Sequence, residues 1–385
     1  MTSSTKRKVG TISLCLLGLF SVRLIWLNAK QPQNKINTLF EPARAIDNTA
    51  RAVTAAKAFL ATLDDAARSK ASLPFDSSVK SRWSNFPVAM VPRNGVRVGD
   101  MTAPQRAAAF ELLAVTLSPR GLQKVKEIME GDEVLKTTDT GPPGGPRAGG
   151  QPPGLPPGAG QGGPGRGANP MFGRDNYFLA FFGAPSLSDP WMIQFGGHHL
   201  AINVTIVGKS NVLAPSLPAA QPAAYKLNSE TVRPLGREND KGFALINSLD
   251  GTQQQKAILN YQVNDLVLGA GQDGKVVQPE GIKVSTLNAA QQERLLDLIR
   301  EWVGILNDEA ANAKMADVKA NLAESWFAWS GSTTNGSAAY FRIQGPTIWI
   351  EYSPQRTRGG GLDINHIHTI YREPTNDYGA RLVSR

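Results

Sequence analysis

At 385 residues and 41% hydrophobic content, the chain is long enough for one large folded domain or two ordinary ones. Its 41 basic and 32 acidic residues leave a formal charge of +9, yet no basic block stands outside Lys6, Arg7 and Lys8. That argues against dedicated nucleic-acid binding, which gathers Lys and Arg on one face. The single cysteine is Cys15, so a cysteine nucleophile or thiolate zinc site is excluded from everything beyond the leader.

Lys6-Arg7-Lys8 followed by the apolar run Val9–Val22 has the parts of an export signal within residues 1–30. The run is short for a spanning helix, which needs about 20 apolar residues. Leu24–Leu27 beyond Arg23 keep an uncleaved anchor over residues 9–27 open, and Leu27 makes a poor cleavage site near Ala29. The expected location is periplasmic or extracellular, with any membrane contact made through this segment alone.

Ala45 to Ala71 is alanine-rich, with Val53, Phe59, Leu60 and Leu63 at helical spacing, and reads as one helix. Residues 72–100 are irregular. Thr102-Ala103-Pro104-Gln105 opens a second helix that runs to Leu117, with Thr as cap, Pro preorganised in the first turn and Gln reaching back. Ser118-Pro119 starts a third, through Val134. Residues 141–170 then hold 12 Gly and 9 Pro without periodicity. Such a stretch buries no core, so 141–169 is expected to be a disordered low-complexity insertion.

Strand character follows in Tyr177–Phe182, Trp191–Phe195 and His198–Val207, and again in Ala339–Ile343, Thr347–Tyr352 and His366–Tyr371. Between the two groups, Asp250–Gln253 and Asn288–Gln291 repeat the capping pattern. The second opens a helix that buries Leu295, Leu296, Ile299, Trp302, Val303 and Leu306, and another helix is expected over Asp308–Ser325. Helices lying between groups of strands favour an α+β fold, a helical N-terminal part packed on a largely antiparallel sheet.

All four histidines fall in two motifs, Gly196-Gly197-His198-His199 and His366-Ile367-His368. Residues two apart on a strand share a face, so His366 and His368 can converge on one ion. Strand alternation would put His198 with Leu200, Ile202 and Val204 on an apolar face. His199 would fall on the more polar face with Ala201, Asn203 and Thr205, making it the natural open-face ligand. Glu351, an acid in an apolar strand, wants a partner and is the candidate catalytic base; Glu373 is a weaker second choice. Imidazoles without sulfur suit a divalent transition metal, Zn first and Fe, Mn or Cu next, over Ca or Mg. Arg372 reads as a solvated charge or an anchor for an anionic substrate group. Trp326 and Trp329 read as core or pocket wall.

Several segments together resemble the bacterial family known as domain of unknown function 3500. They are Arg82–Pro87, Gly99–Thr102 with Gln105-Arg106, Phe195–Asn203, Trp326–Trp329, Ile350–Tyr352, and His366–Thr369 running into Asn376–Gly379. The likeness covers roughly residues 45–385. It implies a single family-wide domain within residues 31–385, interrupted by the insertion, and it implies no activity. Phe195-Gly196-Gly197 departs from the more polar run expected before His-His.

The expectation is an exported protein with a metal centre of His199, His366 and His368, and with His198 and Glu351 as supplementary groups. If catalytic, the centre would serve metal-dependent hydrolysis of an unidentified small molecule, with iron or copper redox chemistry as the other enzymatic reading. A non-catalytic periplasmic or cell-surface binding protein, its histidines merely ordering the sheet, is the competing class.

Overall fold

The expected helix over Ala45–Ala71 is two helices in the computed structural model, which describes residues 47–138, 171–356 and 361–383. These are α1 (Asn48–Ala61), capped by Asp47, and α2 (Asp65–Ala71). The break has a local cause: the Asp64 carboxylate accepts from Ala67 N at 2.7 Å and starts a new helix three residues after the first ends. Two further helices follow, α3 (Ala103–Thr116) and α4 (Pro119–Thr138). The segment read as an export signal, the Gly/Pro stretch and residues 357–360 lie outside the described residues.

The chain then builds strands. After β1 (Ser72–Leu73) and β2 (Val96–Arg97) come β3 (Phe178–Phe182), β4 (Trp191–Gly197), β5 (Leu200–Val207), β6 (Ser210–Val212) and β7 (Leu217–Ala220). A separate hairpin, β8 (Tyr225–Leu227) with β9 (Glu230–Val232), leads to α5 (Gly236–Ile246) and α6 (Gly251–Ala257). Next stand β10 (Ile282–Lys283), α7 (Ala289–Val303) and α8 (Asp308–Ala320). The chain closes with β11 (Trp326–Gly331), β12 (Ala339–Gln344), β13 (Trp349–Arg356) and β14 (Leu362–Arg372). The three sequence-predicted capping boxes all form, at Thr102–Gln105, Asp250–Gln253 and Asn288–Gln291. Helix α8 stops short of Ser325 because Asn321 turns its amide back onto the Asp317 carbonyl at 2.9 Å.

Twelve of these strands form one sheet in the order β1-β3-β4-β5-β7-β14-β13-β12-β11-β10, with β2 beside β3 and β6 beside β5. Every pairing is antiparallel except β1 with β3. The fold is α+β, as expected. Its main core joins residues of α1, α3, α4 and α7 to one face of the sheet, through Phe181, Ile193, Ile202, Trp329 and Phe341. The opposite face carries Ala201, Leu217, Ala219, Trp349 and Ile370, packed with Trp83 and Leu268 from loops. That division decides where the histidines go: helices cover one side, and loops cover the other.

The seam is narrow. β7 pairs with β5 only at Leu200–Pro218 and Ala201–Leu217, and with β14 only at Ile367–Ala220 and His368–Ala219. These four residues of β7, with Ser216 just before them exchanging both backbone hydrogen bonds with Tyr371 at 2.8 Å, join the strands that precede the helices α5 to α8 to those that follow them.

Candidate metal centre

His198 and His199 do not lie in a strand. Gly197 pairs with Leu200, so the two histidines are the turn of the β4–β5 hairpin. His199 has φ 59°, a left-handed conformation uncommon outside glycine. The backbone of this turn is held from several directions. His199 N donates to Asn85 O at 3.2 Å, Ala219 N donates to His199 O at 2.8 Å, and the Tyr177 hydroxyl donates to His198 O at 2.8 Å. The two glycines before it are sterically required. A Cβ on Gly197 would stand 2.5 Å from Asn176 O, and one on Gly196 would stand 2.5 Å from Leu200 O.

The expectation that alternation would send the two rings to opposite faces is corrected by this turn. The imidazoles of His198 and His199 stack, with centroids 3.6 Å apart. Their partners do differ. His198 Nδ1 bonds Asp132 Oδ1 of α4 at 2.6 Å, and Phe172 packs on its ring. His199 turns toward β14.

In β14 the ladder is irregular. Asp363 pairs with Gln355 and Ile367 with Pro354, so Ile364, Asn365 and His366 bulge from the register opposite a single step of β13. His368 is back in register, opposite Ser353 and Ala219. The bulge turns the two rings edge to face, 82° apart, and brings both Nε2 atoms together.

His366 Nε2 lies 3.0 Å from His199 Nε2 and 3.0 Å from His368 Nε2. The three form a group whose ligand atoms all lie within 4.8 Å of one another, and which could hold a metal ion. An imidazole nitrogen carries either one proton or one lone pair, so a single proton on His366 Nε2 cannot satisfy both neighbours. One cation at the centre satisfies all three. Zn–N bonds of about 2.0–2.1 Å in a tetrahedral arrangement place nitrogens about 3.3 Å apart, close to the two separations of 3.0 Å about His366.

The electrostatics favour neutral rings. Burial first, then the neighbouring imidazoles, push His199 well below the usual histidine value. The same causes, opposed by Asp265, bring His366 down to about 3. Burial lowers His368 also, against the pull of Asp265. Neutral imidazoles with free lone pairs are what a transition metal binds. His199 and His368 are buried and His366 is half-buried, so one side of the group faces outward.

Supporting groups surround the three rings. Asp265 Oδ1 stands 3.4 Å from His368 Nδ1, and the Asn85 amide lies 3.3 Å from the same nitrogen. Burial raises the Asp265 carboxyl, but hydrogen bonds from His368, Leu266 N and Gln355 together with the nearby imidazole leave it below its ordinary value. Asp132, 1% exposed, also accepts from Gly173 N at 2.9 Å. Asp132, Asp265 and Asn85 were not singled out from sequence. Asn85 alone had a signal, since it lies in a segment carrying the family resemblance.

The other sequence candidates fall elsewhere. His198 is outside the three-histidine group, next to it through its stacked ring. Glu351 is fully buried and accepts from Val267 N, Leu268 N, Trp349 Nε1 and Tyr340 OH at 2.6 to 2.8 Å. Those four donors fill a carboxylate's acceptor sites, and none is an imidazole. Glu373 is bound by Tyr371, Asn376 and Lys314. Arg372 is no solvated charge: it is 3% exposed, paired with Asp273 and Asp377 and bonded to the carbonyls of Leu268 and Gly269. Trp329 is core, stacked on Phe341.

Fold and site together define an α+β protein with a three-histidine centre on the loop-covered side of a large sheet. A family model described as Protein of unknown function (DUF3500) matches residues 46–380, and the chain belongs to that family. No curated protein and no solved structure matches it.

Proposed function

We propose that His199, His366 and His368 bind a single divalent transition metal, zinc before iron, manganese or copper, and that the centre is hydrolytic. The supporting observation is the meeting of three Nε2 atoms, two of the separations being 3.0 Å, contributed by a turn and a bulge far apart in sequence. Three imidazoles and no thiolate match the donor set of catalytic zinc sites, which keep a fourth position open. A metal bound there would supply Lewis acidity and a water whose pKa falls to about 7.

The chain's own residues have separate tasks in this reading. His368 is oriented by Asp265 and Asn85, and His199 by the turn and by the His198 ring. Asp265 meets His368 at Nδ1, the ring edge away from Nε2, and so serves to orient that ring. Glu351, with every acceptor site filled, is not free to act as a base. The chain is read as exported on the pattern of Lys6–Val22, with a small molecule rather than nucleic acid as substrate. Among the described residues no helix is long and apolar enough to cross a membrane.

Burial of His199 and His368 favours one second reading, a metal that only fastens the sheet of a binding protein. Metal analysis of the purified protein, beside His366→Ala and His368→Ala, tests both. A full equivalent of metal in the parent, a trace in the variants, and turnover on an ester, amide or phenolic panel that vanishes with the metal are expected. Metal without turnover selects the fastening role. A metal-free parent that keeps its stability after the substitutions overturns the centre itself.

A further inference from the structure

Glu351 and Arg372 are a buried acid and a buried base on neighbouring strands, β13 and β14, and both face the loop-covered side. Glu351 stands opposite Ile370, two residues along β14 from His368, and Arg372 stands opposite Trp349. The two grip one short piece of backbone by its opposite polarities. Glu351 takes the N–H groups of Val267 at 2.6 Å and Leu268 at 2.8 Å. Arg372 gives hydrogen bonds to the carbonyls of Leu268 at 2.7 Å and Gly269 at 2.8 Å. Trp349 and Tyr340 hold the Glu351 carboxylate itself.

A carboxylate at 0% exposure is costly to bury, and such a group persists where hydrogen bonds compensate it fully. Here the compensation is spent on a loop whose other product is Asp265. That residue lies two positions before Val267, turns back to accept from Leu266 N at 2.7 Å, and reaches His368 Nδ1. A slack loop would leave Asp265, a largely exposed side chain, free to swing into water.

We infer that Glu351 is a positioning residue of the three-histidine centre: by holding the Val267 and Leu268 amides it sets Asp265 against His368 Nδ1. It acts through Asp265 and touches no reacting atom. As a claim about metal it rests on the reading proposed above; as a claim about Asp265 and His368 it does not.

The test is a double-mutant cycle of Glu351→Gln, Asp265→Asn and the pair, read in two ways. Nitrogen-15 NMR of histidine-labelled, metal-depleted protein follows the His368 Nδ1 resonance. Cobalt(II) titration of the same proteins follows affinity and the visible spectrum. Both single variants are expected to move the His368 resonance alike and to weaken cobalt on the order of 10–100-fold, the scale of lost outer partners of a ligand. The pair is expected to be no worse than either single change. Fully additive losses, or a Glu351→Gln protein with unaltered His368 signal and cobalt affinity, overturn the inference. Should Glu351→Gln fail to fold, Tyr340→Phe removes one donor to Glu351 and should give a smaller shift of the same sign; no shift overturns it. A wild type that takes up no cobalt sinks the metal reading alone, and the His368 resonance then decides the role of Glu351.

Discussion

Asp132 and His198 meet at 2.6 Å with both side chains buried, and the bond fixes Nδ1 of His198 as its point of attachment. Asp132→Asn keeps the shape but sets an NH2 group against one of two donors, His198 Nδ1 or Gly173 N. Loss of a hydrogen bond to a charged group costs about 1.5–3 kcal/mol, and urea unfolding of this variant should show that loss. A shift under about 0.5 kcal/mol would mean that stacking alone holds His198, since neutral surface changes fall in that range. At this scale the histidines were legible because four residues of a rare type fell into two short motifs. The acids were not. Asp132 sits among Glu127, Glu130 and Glu133 on one helix, where nothing in the sequence separates an inward carboxylate from its solvated neighbours. Glu351 was visible as an acid in need of a partner, but two of its four partners are backbone amides of a loop that no pattern foretells.

Local structure was read best where the chemistry is local. The capping boxes at Thr102, Asp250 and Asn288 involve four residues each and formed as expected. Element edges decided by tertiary contacts were missed. The β4–β5 turn is the clearest case, since strand alternation was applied to two residues that belong to no strand, and β7, a four-residue segment of Leu-Pro-Ala-Ala, has no strand signature at all. The turn also makes a prediction. Gly197→Ala would press a Cβ against Asn176 O and the Tyr177 ring, and overpacking of this kind costs about 1–3 kcal/mol. Displacement of the turn carries His199 with it, so metal affinity should fall on the order of 10-fold. Isothermal titration with zinc, beside the melting temperature, checks both. A protein destabilised but unchanged in affinity would show that the turn is not what aims His199.

Across the whole molecule, the two groups of strands found in the sequence became one sheet, joined through β7. Three neutral imidazoles beside this seam, two buried and one half-buried, tie its stability to pH. In the unfolded chain each titrates near 6.5, whereas in the folded protein each is depressed, His366 to about 3. The folded state therefore binds fewer protons, so the stability present above 6.5 is lost as pH falls from there toward 3. Denaturant midpoints of metal-depleted protein at pH 7.5 and 5.5 should show the lower value at 5.5; equal midpoints would contradict neutral histidines. Zinc at 100 times its dissociation constant should add about 2.7 kcal/mol at pH 7.5, and less at 5.5, where protons compete for the ligands. The seam has a kinetic corollary. Before β14 docks, the hairpin tip offers an ion only His199 of the three ligands, too little for tight capture. Uptake must wait for the closing strand, so an ion would brake unzipping of the finished sheet while leaving the pace of its assembly unaltered.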